Sequence, residues 1–547
     1  MINMVHPICE ADLALVNGKI LTVNDEFSIV EALTVKDGIV QFTGSTSEAE
    51  QFIGGSTKLV DLEGKTVLPG LYDSHVHMKG VGAALKIINV MTPPVHCIEE
   101  MKKAVTDKVK ESKPGDWVLG RGWDQVKLAD HRNPTRYDLD DVAPDNPVAL
   151  TRTCGHVLLV NSYALKMAGI KKGTKSPDGG VIDTDDSGEP NGLLEEGPAM
   201  NLVRNLMPIE DISEKMDCIK LACKALNSAG ITSVQEPGLN SDDFVAYQKV
   251  MDEGELTVRV NLMLSGSQRN EPLEESLKRI REFPMITGYG NDTLRFLGLK
   301  LLVDGGVGGR TAFMREHYEG DPDDRGVSIY TNEKLQALVD EANKRGMLSA
   351  IHCAGGAAID QVMNAYEKTD EIKPIKGRRF QIIHVYQPSD ENIEQIKRLG
   401  VTVNTQPSHV YYLGDSFDEN LGRKRASWTK PHRRFLDEGI CVGASTDAPV
   451  VPYPAFPAIW AGVARRTQIN DTVLGIDQAV TREESLRMYT VNCAYMSFEE
   501  DMKGSLEPGK LADLIVIDRD YLECPEDDIR DTKVLATYVG GKKVYEA

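Results

Sequence analysis

His75 and His77 stand two residues apart at the end of Pro69-Gly70-Leu71-Tyr72-Asp73-Ser74-His75-Val76-His77. The Pro-Gly pair predicts a turn running into a short strand that ends in the two histidines. Residues two apart on a strand project from one face, so both imidazoles are expected to point at one shared centre. Neutral imidazoles arranged this way suit Zn, Fe, Ni or Mn; two hydrogen-bonded core histidines are the other reading. His makes up only 11 of 547 residues, and further copies also close apolar segments. His352 ends Met347-Leu348-Ser349-Ala350-Ile351-His352, and His384 ends Phe380-Gln381-Ile382-Ile383-His384. Asp447, in Ala444-Ser445-Thr446-Asp447-Ala448-Pro449, follows another apolar segment and would add a carboxylate; an Asp in such a turn could also cap a helix.

Lys300 is the odd residue in Phe296-Leu297-Gly298-Leu299-Lys300-Leu301-Leu302-Val303. An ammonium inside an apolar core pays a large desolvation cost, so it must be paired, neutral or chemically modified. Asp304, four residues on, offers a plain ion pair. Carbamylation by carbon dioxide would instead make Lys300 an anionic ligand able to bridge two metal ions.

These residues need elements to position them. Apolar segments alternating with amphipathic helical patterns predict parallel β/α units. The candidate strands are Thr66–Leu68, 230–234, 256–262, 294–303, 347–352, 380–384, 401–404 and 440–444. Eight such strands predict an α/β fold, a (β/α)8 TIM-like barrel, with chemistry at the C-terminal strand ends. Short strands broken by Asn17-Gly18 and Asp37-Gly38 fill residues 12–62, and residues 512–518 and 534–544 repeat the texture. A small sheet with two open edges is poorly protected, so the two chain ends are expected to join into one β-sandwich. The expected division is 1–66 with 500–547 as sandwich and 67–499 as barrel. Within the barrel, 81–215 is expected as an inserted lid after the first strand, rich in Pro and Asp clusters.

Composition narrows the function classes. A formal net charge of −21, with no basic stripe, argues against nucleic acid and against an anionic membrane surface. No run approaches the about 20 apolar residues that span a bilayer. The N-terminal residues lack a basic segment followed by an apolar one, which predicts a cytoplasmic protein. Nine cysteines without CxxC spacing read as reduced thiols. Cys154 and Cys353, near the motifs, read as small buried hydrophobes. No Gly-x-Ser-x-Gly elbow occurs, and no nucleophilic Ser or Cys is required.

The order His-x-His, Lys300, His352, His384, Asp447 resembles the amidohydrolase superfamily, and Gly504-Ser505-Leu506-Glu507-Pro508-Gly509-Lys510-Leu511-Ala512-Asp513-Leu514 strengthens the likeness. More narrowly the chain is similar to the YtcJ-like branch that includes N-substituted formamide deformylases. The shared patterns are Gly120-Arg121-Gly122-Trp123-Asp124, Pro134 to Asp140, Gly155-His156 with Asn161, Asp304-Gly305-Gly306 with Arg310-Thr311-Ala312, and Gln406-Pro407-Ser408-His409. The resemblance implies that His75, His77, Lys300, His352, His384 and Asp447 hold one or two divalent metals. Zinc is the first choice, with Mn, Fe, Co or Ni as alternatives, and Lys300 is carboxylated if the site is binuclear. It also implies a homodimer.

Hydrolysis of an amide-type C–N bond in a small molecule is the expected reaction, with Asp447 moving the proton from water to the leaving nitrogen. His156 and His409 are expected to orient the scissile carbonyl, and Trp123 to form an apolar wall. Asp124, Asp304 and Arg310 are expected to contact substrate. Three departures from the branch stand out: Gly355-Gly356 replaces Gly-Asp, Ile383 replaces a Glu, and Cys154 stands where Asp is common. They leave open a second use of the site, in deamination, decarboxylation or another carbonyl-polarising reaction. A catalytically silent binding protein on this scaffold is the third reading.

Overall fold

The computed structural model describes residues 9–91, 94–125, 128–152, 155, 157–177, 179–208, 210–267 and 271–547. The chain divides into two compact units, one running to Met78 and resuming over Ile219–Ala547, the other Lys79–Cys218.

The first unit begins with two small sheets. Leu13–Val16 lies between Ala32–Lys36 and Lys58–Asp61, with Ile39–Gly44 at the edge. The other sheet mixes the two chain ends: Thr66–Pro69 pairs antiparallel with Leu514–Ile517, which pairs in turn with Val534–Val539. Leu15, Leu33 and Val35 of the first sheet share one apolar core with Val67, Leu514 and Val516 of the second. Thr66–Leu68, expected as the first barrel strand, therefore belongs to this layer. The change of partner falls at the Pro-Gly pair: Gly70 N–H donates to Asp513 O, and Leu71 N–H donates to Gly230 O.

From Leu71 the chain builds eight parallel strands that neighbour one another in sequence order. They are β1 (Leu71–Asp73), β2 (Ile231–Leu239), β3 (Arg259–Ser265), β4 (Leu294–Leu302), β5 (Leu348–Cys353), β6 (Gln381–His384), β7 (Thr402–Thr405) and β8 (Val442–Ala444). Hydrogen bonds from Ser74 N–H to Ala444 O (3.2 Å) and from Asp447 N–H to His75 O (2.8 Å) link β1 to β8. The outer helices have matching start and stop signals. Ser389 caps Asp390–Leu399 with a capping box, and left-handed Gly400 (φ 66°) ends it before β7.

Lys79–Cys218 carries its own six-stranded mixed sheet, from Ile88–Asn89 at one edge to Val181–Thr184 at the other. No helix among the described residues is long and apolar enough to cross a membrane.

Candidate metal centre

β1 ends at Asp73, so His75 and His77 sit in the loop beyond it rather than on the strand itself. The Asp73 carboxylate draws the chain out of the ladder by accepting from His75 N–H (3.2 Å), Thr446 N–H (3.1 Å) and Thr446 Oγ1 (2.5 Å). Burial pushes Asp73 up to about 7, against those hydrogen bonds. The same contacts fix the turn that carries Asp447, itself left-handed at φ 63°. Asp447 Oδ1 then lies 3.5 Å from His75 Nε2 and 3.5 Å from His77 Nε2. One donor atom from each of these three residues falls within 4.8 Å of the others.

A second group of three shares Asp447: His384 from the end of β6, and His409 from the helix Pro407–Trp428. Asp447 Oδ2 lies 3.6 Å from His409 Nε2. His384 Nδ1 is 2.7 Å from Gln406 Oε1, which accepts only, so the ring proton sits on Nδ1 and Nε2 keeps a lone pair. The amide is held in that sense by its NH2 donating to Ser445 Oγ (3.0 Å) and by Lys430 Nζ donating to Oε1 (2.9 Å). Lys430 also donates to His384 O (3.0 Å), and its ammonium lies 4.3 Å from the centre of the Tyr386 ring. Tyr386 OH bonds His409 Nδ1 at 2.9 Å.

Burial holds His75, His384 and His409 well below the ordinary imidazole range, Lys300 adding to the effect at His75 and His352 at His384. Neutral imidazole is the form that ligates metals. His75 Nδ1 and His409 Nε2 are buried with no hydrogen-bond partner among the described residues. Buried orphan nitrogens are uncommon in folded proteins. An ion on His409 Nε2 would satisfy that nitrogen, and neutral imidazoles with a carboxylate suit a divalent transition metal, so the donor set fits such an ion; His75 turns Nε2, not Nδ1, toward Asp447. Ligating histidines whose second nitrogen is held by another group bind metal more tightly. Gln406→Leu is therefore expected to weaken metal binding about 10- to 100-fold, read by competition with a chromogenic chelator.

The sequence profile of the amidohydrolase family matches residues 58–545. The chain belongs to the amidohydrolase family. This amidohydrolase is 29% identical over 544 residues to the N-substituted formamide deformylase of Arthrobacter pascens, covering 98% of each chain. It is also 29% identical over 537 residues to the amidohydrolase YtcJ of Bacillus subtilis (strain 168), covering 97% of this chain and 98% of that one. The crystal structure of an uncharacterized metal-dependent hydrolase from Pyrococcus furiosus matches with a TM-score of 0.75 at 28% identity, over 93% of this chain and all of the other.

Other expected residues of the amidohydrolase take different places. Lys300, on β4, brings Nζ to 3.3 Å from His75 Nε2. Burial pulls its ammonium down to about 8, against the Asp447 carboxylate. It forms no ion pair with Asp304. Asp304 is fully buried and accepts from the N–H groups of Phe313 (2.9 Å), Ala354 (2.9 Å) and Gly355 (2.8 Å). It braces the loop after β5 and has no free edge for a substrate; burial pushes it up to about 7. His352 Nε2 donates to Gly305 O (3.1 Å) and lies 3.4 Å from Asp304 Oδ1, outside both groups of three. Asp304→Ala is expected to loosen this loop, read as faster proteolysis between residues 304 and 315.

Arg310, expected to contact substrate, is spent on its own surroundings. Its guanidinium donates to Asn420 Oδ1 (2.8 Å) and Glu319 O (3.1 Å). Trp123 is fully buried among Val118, Leu128, Val148 and Leu150 in the second unit, with its indole N–H on Leu150 O (3.3 Å), so it is a core residue of that unit rather than an open wall. Asp124 lies 3.8 Å from Arg152. His156 and Cys154 lie outside the described residues. The eight described cysteines are free, and burial pushes Cys353 well above the ordinary thiol range.

Gly355, which the branch pattern keeps, has no room for a side chain: a Cβ there would lie 2.1 Å from Phe313 O. At Gly356, the position that departs, a Cβ would meet Arg315 Nη1 at 2.6 Å, the end of a flexible side chain, and Gln387 O at 3.0 Å, so backbone space does not account for the missing Asp. Gln406, Tyr386, Ser445 and Lys430 carry roles that sequence reasoning did not assign. Gln406 sits in the Gln-Pro-Ser-His pattern already singled out, whereas a lysine before Pro431 gives no such signal.

Proposed function

We propose that this chain is a metal-dependent hydrolase that cleaves an amide-type C–N bond of a small molecule, with Asp447 moving the proton. The observation that carries the reading is the placement of one buried carboxylate between two sets of histidines. His75, His77 and Asp447 would hold a divalent ion, with zinc the first choice. Such an ion polarises a carbonyl and lowers the pKa of water. Asp447 turns one oxygen toward His75 and His77 and the other toward His409, so it stands where it can accept a proton and return it to a leaving nitrogen. The braced Asp73–Thr446 contacts keep it there without reorganisation. The relative named for N-substituted formamides suggests that class as the first substrates to test.

Lys300, buried and unpaired with Asp304, is proposed to carry a carboxylate from carbon dioxide when two ions bind. A carbamate signal from protein equilibrated with 13C-bicarbonate, lost in Lys300→Met, is the expected result. The hydrolase reading is tested by formate release from a panel of N-substituted formamides and by amine release from other N-acyl compounds. Turnover on any of them, abolished by chelation and restored by Zn2+, supports it. Amine release from none, with metal bound, would contradict the C–N assignment.

A further inference from the structure

We propose that Lys430 is a positioning residue that selects the tautomer of His384 a metal ion requires, acting through the amide of Gln406. The inference rests on the metal-dependent reading above and deepens it.

Lys430 occupies an unfavourable place. It is fully buried, forms no ion pair among the described residues, and stands before Pro431 in the left-handed region at φ 55°. A buried charge without a partner is costly, as is a left-handed backbone at a residue other than glycine, and a following proline restricts the residue further. Surrounding contacts hold the conformation. Lys430 N–H donates to Tyr386 O (3.0 Å), and its carbonyl accepts from His432 N–H (2.8 Å) and from Arg465 Nη1 (3.0 Å). The side chain thereby reaches back to the end of β6, where Nζ donates to His384 O (3.0 Å) and to Gln406 Oε1 (2.9 Å). The remaining neighbour of Nζ is the face of the Tyr386 ring, 4.3 Å from its centre. Burial pulls the lysine well below its ordinary range, opposed by Asp447, yet charged or neutral it presents N–H to both oxygens.

The amide of Gln406 has two senses, related by exchange of its oxygen and its nitrogen. Neutral His384 suits either sense, since its proton can sit on either nitrogen. Ser445 Oγ takes the amide NH2 at 3.0 Å and is drawn to donate to Asn404 Oδ1 and Thr405 O (3.0 Å each), but a hydroxyl can turn and donate instead. Lysine N–H is the stronger constraint: the amide oxygen must face it. The same oxygen then takes His384 Nδ1–H at 2.7 Å, which keeps the proton on Nδ1 and the lone pair on Nε2. Without the lysine the amide is free to reverse. Its NH2 then donates to Nδ1, and the proton moves to Nε2, where it blocks ligation. The partner of a ligating histidine fixes the tautomer in metal sites generally; here the lysine fixes that partner.

The test is Zn2+ affinity, by competition with a chromogenic chelator, for wild type, Lys430→Met, Gln406→Glu and the double variant. Circular dichroism establishes that each is folded. Lys430→Met is expected to bind one ion about 10- to 100-fold more weakly. A carboxylate has no wrong sense, so adding Gln406→Glu is expected to recover most of that loss, a rescue that a lysine serving only to fill space would not show. Gln406→Glu alone, with the sense already set, is expected to gain less. Wild-type affinity in folded Lys430→Met, a loss that Gln406→Glu leaves unrepaired, or an equal gain in both backgrounds overturns the inference and leaves the hydrolase reading standing. A wild type that binds no Zn2+ overturns both. Where Lys430→Met does not fold, NMR of metal-free wild type with 15N-labelled histidine rings decides, the His384 signals being assigned by their loss in His384→Gln. A protonated Nδ1 with a bare Nε2 is expected, and the reverse tautomer overturns the inference.

Discussion

Asp447→Asn is expected to cut hydrolysis of the best formamide about 10²- to 10⁴-fold, the range for losing a positioned general acid–base group. Asn keeps the size and one acceptor oxygen but cannot take and return a proton. The loop should survive the change, because its geometry is set by Thr446 on Asp73 and by Asp447 N–H on His75 O, neither of which uses the Asp447 side chain. Rates measured across pH, together with metal content, check the result. A loss of rate that persists when the variant is saturated with Zn2+ is the expected outcome, since Asn offers the ion one neutral oxygen in place of the carboxylate. Wild-type turnover with metal retained would remove Asp447 from the chemistry.

The second large effect lies far from the chemistry. Arg259 begins β3 and is buried, and its guanidinium grips Asp513 through two bonds, Nε to Oδ2 at 2.6 Å and Nη2 to Oδ1 at 3.0 Å. The third nitrogen, Nη1, donates to Asp292 O (2.9 Å) and Asp292 Oδ2 (2.9 Å), and Asp513 Oδ1 also accepts from Gly540 N–H (2.7 Å). Burial works against the charge on Arg259, but Asp513 and Asp292 outweigh it and hold the guanidinium above its ordinary range. This pair ties the start of a barrel strand to the sheet built from the chain end. Asp513→Ala strands a buried guanidinium and is expected to cost about 3–5 kcal/mol. Arg259→Met with Asp513→Leu should recover much of that, since replacing both charges removes the penalty. Urea unfolding of the three chains, wild type, Asp513→Ala and the double variant, checks it. A single-variant loss below about 1 kcal/mol would place the pair with surface ion pairs.

The barrel was legible because its strands are written plainly. Segments such as Phe380–His384 and Ile440–Ala444 are mostly apolar, with Gln381 the one polar residue ahead of the terminal His384, as expected for strands buried on both faces. The first strand was misplaced because Thr66–Leu68 is as apolar as any barrel strand, and only hydrogen-bond partners separate the two sides of Pro69-Gly70. His75, His77, His384 and Asp447 were legible from residue type and position at strand ends. Their convergence was reached by a different route from the one expected, through a loop pinned by Asp73.

The supporting residues were harder. Asp304 follows Lys300 by four positions, but its carboxylate turns to backbone donors after β5. Local spacing cannot reveal contacts made across 50 residues. Trp123 and Arg310 were read for substrate from motif position, yet the first fills a core and the second satisfies carbonyl and amide acceptors nearby. Lys430 lies 46 residues from His384 in sequence and reaches it only through the closed barrel.

The most direct test of the central claim is metal content and amide hydrolysis measured together on one preparation, as purified, after chelation, and after Zn2+ is restored. Metal bound as purified, hydrolysis lost with the metal and recovered on its return is the result this account predicts. A preparation that hydrolyses equally well when metal-free would contradict it.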